Sequence, residues 1–171
     1  MIIINLESNR LNFRKYKDHD FDFLFSLLSD PEMMRHIGEG KTRDRKGTKR
    51  FLDWIYNTYE IGTDKGLMVL EDKDDNTPIG HAGLVPQKIE GVEELEIGYW
   101  ISREYWGKGY ATEAAKSLLD YGQNHLQEER LISLIQRENK ASKSIANKLG
   151  MRLEKEIKLN GQNVCVYSIS R

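Results

Sequence analysis

The sequence predicts a mixed α+β fold of six to seven strands and about four helices, and three stretches carry the prediction. VEELEIGYWIS sets Leu95, Ile97, Tyr99 and Ile101 against Glu94, Glu96, Gly98 and Trp100, the two-residue period of a strand with one buried face. Just beyond it, Ala111, Ala114, Ala115, Leu118, Leu119 and Gly122 recur at helical spacing, so an amphipathic helix runs from Tyr110 to about Leu126. LISLIQ follows as a buried strand, which completes a strand-helix-strand unit from 93–102 through 131–136.

The other elements follow in chain order. A first strand lies around Arg10 to Arg14, and Phe21, Leu24, Phe25 and Leu28 form the apolar stripe of a first helix that Pro31 closes. PEMMRHIGEG reads as a short second turn ended by Gly38 and Gly40. The polar run KTRDRKGTKR leads into a helix whose face carries Phe51, Trp54, Ile55 and Tyr59. LMVLED and PIGHAGLVPQKI, with the turn signal DKDDNT between them, form a hairpin. NKASKSIANKLG is a helix capped by Asn139 and stopped at Gly150, and Asn160-Gly161 turns a terminal hairpin. The chain shows no repeat, low-complexity tract or linker, and its 171 residues suit one domain spanning 1–171.

Composition bounds the function. Twenty-six basic and 27 acidic residues give a formal charge of -1, which supplies no broad field for nucleic acid or an anionic membrane. No apolar run approaches the roughly 18 residues of a membrane span, and the three-isoleucine run at the start lacks the pattern of an export signal. The lone Cys165 fits a packed strand position in a reducing compartment, so a cytoplasmic location is expected. His19, His36, His81 and His125 show no ligand spacing, so no metal is expected.

REYWGKGYATEAA places two glycines around a lysine at a helix entrance. A helix start leaves about four N–H groups unpaired and about half a positive charge. Bare backbone at Gly107 and Gly109 would let a phosphate approach them, with Lys108 at the rim. A plain strand-to-helix turn, with glycine supplying a positive φ, fits the same stretch. Other phosphate loops fit worse: no Gly-Lys-Ser/Thr follows a glycine at Walker spacing, and Thr112 stands where a dinucleotide fingerprint needs its third glycine. The glutamates along 93–102 also disagree with a fully covered parallel sheet.

The order EIGYWISREYWGKGYATEAAKSLLDYG, buried strand, NKASKSIANKLGM resembles the GNAT acetyltransferase superfamily, in particular its ribosomal-protein N-terminal alanine and serine acetyltransferases. RLNFRKYKDHD and SDPEMMRHIG extend the likeness over nearly the whole chain. The resemblance implies a mostly antiparallel twisted central sheet and acetyl-CoA as co-substrate. Its diphosphate would lie on the turn formed by Trp106, Gly107, Lys108, Gly109, Tyr110, Ala111 and Thr112. The family writes this turn Gln/Arg-x-x-Gly-x-Gly/Ala, and Trp106 departs at the first position, with loss of that side-chain contact expected. By similarity the main chain of Trp100 and Ile101 pairs with the pantetheine arm, and Asn139 and Ser142 contact it from the last helix. The implied reaction is acetyl transfer to a primary amine, a protein N-terminus or a small molecule, by direct attack in a ternary complex. The alternative is a CoA-binding regulatory or scaffold protein without transfer. A monomer or a homodimer is expected.

The chemistry needs a neutral amine. A lysine-like amine of pKa about 10.4 loses about 4.6 kcal/mol to protonation at pH 7, an α-amine of pKa about 7.8 only about 1 kcal/mol. Glu94 and Glu96 share the strand face leading to the thioester; Glu96 is the first candidate for the base, with Glu94 behind it. A solvated strand face is the competing reading for both. Ala146 stands where many family members place a thiolate-protonating tyrosine, and Ser142 is the candidate replacement, although a serine at a helix start fits as well. His81, Met33, Met34 and Trp54 are candidate walls of the acceptor pocket or core residues. The basic run at 41–50 fits a solvated face or an acidic partner.

Overall fold

The computed structural model describes residues 6–171, so the isoleucine run at 2–4 lies outside the described residues. Seven strands form one sheet in the order β1-β2-β3-β4-β5-β7-β6. They are β1 (Leu11–Lys15), β2 (Gly66–Asp72), β3 (Pro78–Ile89), β4 (Val92–Ile101), β5 (Arg130–Gln136), β6 (Arg152–Leu159) and β7 (Gln162–Ser170). Every neighbouring pair is antiparallel except β4 with β5. That parallel pair is made by the strand-helix-strand unit, as a crossover connection requires.

Five helices cover the two faces: α1 (Phe21–Leu28), α2 (Pro31–Met34), α3 (Arg45–Ile61), α4 (Tyr110–Asp120) and α5 (Lys140–Lys148). The alternation within β4 separates two cores. Ile97 and Ile101 join Ala114, Ala115 and Leu118 of α4 and Ala146 of α5 on one face. Trp100 packs with Leu67, Val69 and Val85 and with Leu24, Leu28, Phe51 and Ile55 of α1 and α3 on the other. The small residues of α4 bring its backbone close to the sheet.

Two boundaries depart from expectation. Helix α3 begins at Arg45, inside the basic run, because the Asp44 carboxylate accepts the Gly47 N–H at 2.8 Å and caps it there. The helix expected to reach Leu126 ends as an α-helix at Asp120 and continues as one wide turn of π type over Tyr121–His125. No helix among the described residues is long and apolar enough to cross a membrane.

Candidate active site

β4 delivers the chain to a 3-10 turn at Arg103–Tyr105 and then to the glycine turn ahead of α4. Gly107 and Gly109 have φ of +77° and +82°, the left-handed region that side chains avoid. The glycines thus satisfy the backbone requirement, and they also leave space. A β-carbon at Gly107 would meet no described atom within 4 Å, and one at Gly109 only the Arg10 Nη2 at 3.6 Å. The first helical bond runs from the Glu113 N–H to the Gly109 carbonyl at 3.0 Å, so the N–H groups of Tyr110, Ala111 and Thr112 have no partner within α4. Lys108 is exposed, with its Nζ 5.6 Å from the centre of the Tyr105 ring.

The Trp106 side chain makes its hydrogen bond inside the protein: its indole N–H donates to the Ile101 carbonyl at 2.6 Å. The indole thereby ties the turn to the end of β4. A second tie, which sequence reasoning missed, comes from the segment just ahead of β1. Ser8 Oγ donates to Glu113, the Arg10 N–H and Nε donate to the same carboxylate at 2.8 and 2.7 Å, and Arg10 Nη2 donates to the Lys108 carbonyl at 3.0 Å. Burial would raise the Glu113 carboxyl, yet these donors outweigh it and hold the group below its ordinary value. About a hundred residues separate the partners, so no local pattern announces the contact.

Between β4 and β5 the sheet parts. The two strands share one ladder position, Glu96 with Ile132, and the end of β4 runs on without a partner on that side. Which groups face the opening follows from the pairing with β3. The Ser102 N–H donates to the Ile79 carbonyl at 2.8 Å, and the Ser133 hydroxyl donates from the β5 side to the Ile97 carbonyl at 3.2 Å. By alternation the main chain of Gly98 and Trp100 faces β3, while that of Tyr99 and Ile101 faces the fork. The expectation for the main chain of Trp100 does not fit this direction: its ring lines a cavity and its main chain is turned to β3, and the main chain turned to the fork is that of Tyr99 and Ile101. The Ile101 carbonyl is already held by Trp106, which leaves its N–H.

Across the fork, the Asn139 Oδ1 accepts the Ser142 N–H at 3.2 Å and its Nδ2 donates to the Ser142 Oγ at 3.0 Å. Asn139 is thus the cap of α5. The Tyr99 hydroxyl reaches the Ser142 carbonyl at 3.4 Å, and burial pushes that phenol up to about 12. Ala146 is buried in the core.

On the opposite face of the sheet, a cavity of about 250 Å³ opens between α3, the loop after α2, strands β3 to β5 and the β6–β7 turn. Phe51, Trp54 and Trp100 give it aromatic walls, Gln87 and Gln136 polar ones, and Glu96 its single carboxylate. Glu96 sits at the fork: Gln87 Nε2 donates to its Oε1 at 2.9 Å, and the Leu134 N–H of β5 donates to its Oε2 at 3.1 Å. The carboxylate so satisfies an N–H of a parting strand. Burial dominates over both donors and raises the Glu96 carboxyl to about 7. Glu94, two residues earlier on the same face, is differently engaged: Arg130 Nε and Nη2 donate to its two oxygens at 2.9 and 2.8 Å.

The remaining candidates are sorted by burial. Met33 and Met34 belong to the core under α3, whereas Trp54 lines the cavity and is 38% exposed. His81 is fully buried outside the cavity lining, with its ring centre 4.6 Å from that of Trp100 and its Nδ1 2.6 Å from the Tyr16 hydroxyl. Burial lowers it to about 3, so it is neutral, and its Nε2 has no hydrogen-bond partner among the described residues. No three His, Cys, Asp or Glu side chains among those residues cluster as a metal site would require.

Comparison with known proteins identifies the family and the fold. The family described as Acetyltransferase (GNAT) domain matches residues 10–152. An uncharacterized N-acetyltransferase of Bacillus subtilis, YnaD, is 31% identical over 151 residues, 88% of this chain and 84% of the relative. A GNAT-family acetyltransferase from Bacillus anthracis superposes with a TM-score of 0.80 at 26% identity over 98% of both chains. The ribosomal-protein-S5-alanine acetyltransferase of Vibrio fischeri shares the fold, with a TM-score of 0.73 at 18% identity over 98% of this chain and 97% of that one. The parted sheet, the glycine turn at the mouth of α4 and the family match together establish that this chain belongs to the GNAT family and is an acetyl-CoA-dependent N-acetyltransferase.

Proposed function

We propose that the protein transfers the acetyl group to a primary amine by direct attack in a ternary complex, with Glu96 as the base and a protein N-terminal α-amine as the preferred acceptor. The observation that carries this is the position of Glu96, where the cavity on the α3 face meets the fork. In this reading the diphosphate rests on the N–H groups from Gly107 to Thr112, with Lys108 adding charge. The pantetheine arm pairs with the main chain of Tyr99 and Ile101, with Asn139 and Ser142 across from it, and the amine arrives through the cavity.

The amine nitrogen bonds to the thioester carbon, its proton passes to the Glu96 carboxylate, and the carbon–sulfur bond breaks. The departing thiolate accepts a hydrogen bond, for which the Ser142 hydroxyl is the candidate donor, and is protonated by solvent water, to which Glu96 returns the proton it took from the amine. No serine or cysteine lines the cavity, and Cys165 is buried in the core, which favours direct attack over an acyl-enzyme. A base near pKa 7 is matched to an α-amine of about 7.8 and poorly matched to a lysine-type amine of about 10.4. Glu94 is left to hold Arg130. We place the protein in the cytoplasm, as one acetyltransferase domain over its length.

The test is thiol release from acetyl-CoA with a panel of peptides carrying free N-termini, polyamines, free amino acids and aminoglycosides. Release with peptides at a rate rising through pH 7 is expected. Release with polyamines alone would overturn the acceptor assignment, and no release with any amine would overturn the reading.

A further inference from the structure

Arg10 sits under the glycine turn and contacts it in three ways. Its Nη2 donates to the Lys108 carbonyl at 3.0 Å, its Nε donates to Glu113 of the first turn of α4 at 2.7 Å, and its guanidinium carbon lies 4.1 Å from the centre of the Tyr110 ring. The consequence comes from peptide geometry. In a trans peptide the carbonyl of one residue and the N–H of the next point in opposite directions. A Lys108 carbonyl held toward Arg10 therefore turns the Gly109 N–H away from the guanidinium, to the side where the anion is expected. The plane between Lys108 and Gly109 is otherwise easy to rotate, because the flanking φ belongs to a glycine.

We propose that Arg10 is a positioning residue for acetyl-CoA: it locks the Lys108–Gly109 peptide so that the Gly109 N–H is presented to the diphosphate. The proposal rests on the reading of this turn as the diphosphate cradle. Glu113 has a matching part. It holds Arg10 through one main-chain donor, the N–H, and one side-chain donor, Nε, while Arg10 neutralises a carboxylate that would otherwise repel the anion one helical turn away.

Binding of coenzyme A and of acetyl-pantetheine, which lacks the diphosphate, separates positioning from general stability. For Arg10→Ala the dissociation constant for coenzyme A, measured by calorimetry, rises about tenfold, as expected for the loss of a charge-assisted hydrogen bond, while binding of acetyl-pantetheine is unchanged. Glu113→Gln shifts coenzyme A in the same direction, and the double variant is no weaker than Arg10→Ala alone. Should Arg10→Ala fail to fold, Arg10→Lys is read in its place. It keeps the charge beside Glu113 but has no fork to reach the Lys108 carbonyl as well, and the same ligand-selective loss is expected. Unchanged coenzyme A binding, or equal weakening of both ligands, overturns the proposal. A wild-type protein that binds neither ligand refutes the cradle itself instead.

Discussion

A carboxyl group at Glu96 meets two opposing demands, since burial drives it to the neutral form and catalysis as a base needs the anion. Its value of about 7 places the balance where both forms are populated near neutrality. Glu96→Gln removes the proton acceptor and keeps the shape, because the Gln87 amide can turn over to accept from the new amide. The turnover rate should fall by roughly 10²–10⁴-fold, and the profile of the residual rate should lose the rise near pH 7 and keep only the one at about 7.8 that belongs to the amine. An unchanged rate at every pH would remove Glu96 from the mechanism. Sequence reasoning reached both glutamates because strand alternation puts them on one face. It ranked Glu96 ahead of Glu94, but the contact that distinguishes them is not local: Arg130, 36 residues away, is bidentate on Glu94.

At the scale of elements, glycines do two different kinds of work. Gly109 is the N-cap of α4 at φ +82°, so Gly109→Ala imposes about 1–2 kcal/mol of backbone strain and tilts the first-turn N–H groups. Coenzyme A binding should weaken by about tenfold while the far-ultraviolet spectrum stays the same. Gly83 in β3 is a packing glycine, because a β-carbon there would lie 1.9 Å from the Gly66 carbonyl oxygen of β2. Gly83→Ala must push two paired strands apart, and a loss of about 2–4 kcal/mol in urea unfolding is expected; a loss below about 1 kcal/mol would mean that β2 yields freely. The turn at 107–109 was legible because glycines before a helical stripe form a local pattern. The start of α3 was not, because its cap Asp44 is hidden among charges that read as loop. The main-chain direction of Trp100 was missed for another reason: side-chain alternation fixes faces, whereas hydrogen-bond direction depends on which neighbour a strand has.

For the whole molecule, two buried titrating groups lie on the α3 face of the sheet, Glu96 in the cavity lining and His81 packed against Trp100, and they act on stability with opposite sign. His81 is lowered to about 3 from an ordinary 6.5, so between those values the unfolded chain binds the extra proton and stability falls as pH falls. Glu96 is raised to about 7 from an ordinary 4.5. In that window the folded chain binds the extra proton, so stability rises as pH falls and is lost as pH climbs through 7. Each slope is about 1.4 kcal/mol per pH unit, and the windows overlap between about 4.5 and 6.5. Unfolding free energy should therefore be nearly flat there in the wild-type protein and decline below it, where the carboxylates held by Arg10 and Arg14 add their own loss. Glu96→Gln removes one of the two slopes. Its stability should climb steadily from pH 4.5 to 6.5 and exceed that of the wild type at pH 8 by up to about 3 kcal/mol, with the two proteins converging near pH 4.5. Urea titrations at pH 5 and pH 8 decide the matter. An equal offset at both values would show that Glu96 is not held away from water at the fork, and the link between its burial and its role as a base would be lost with it.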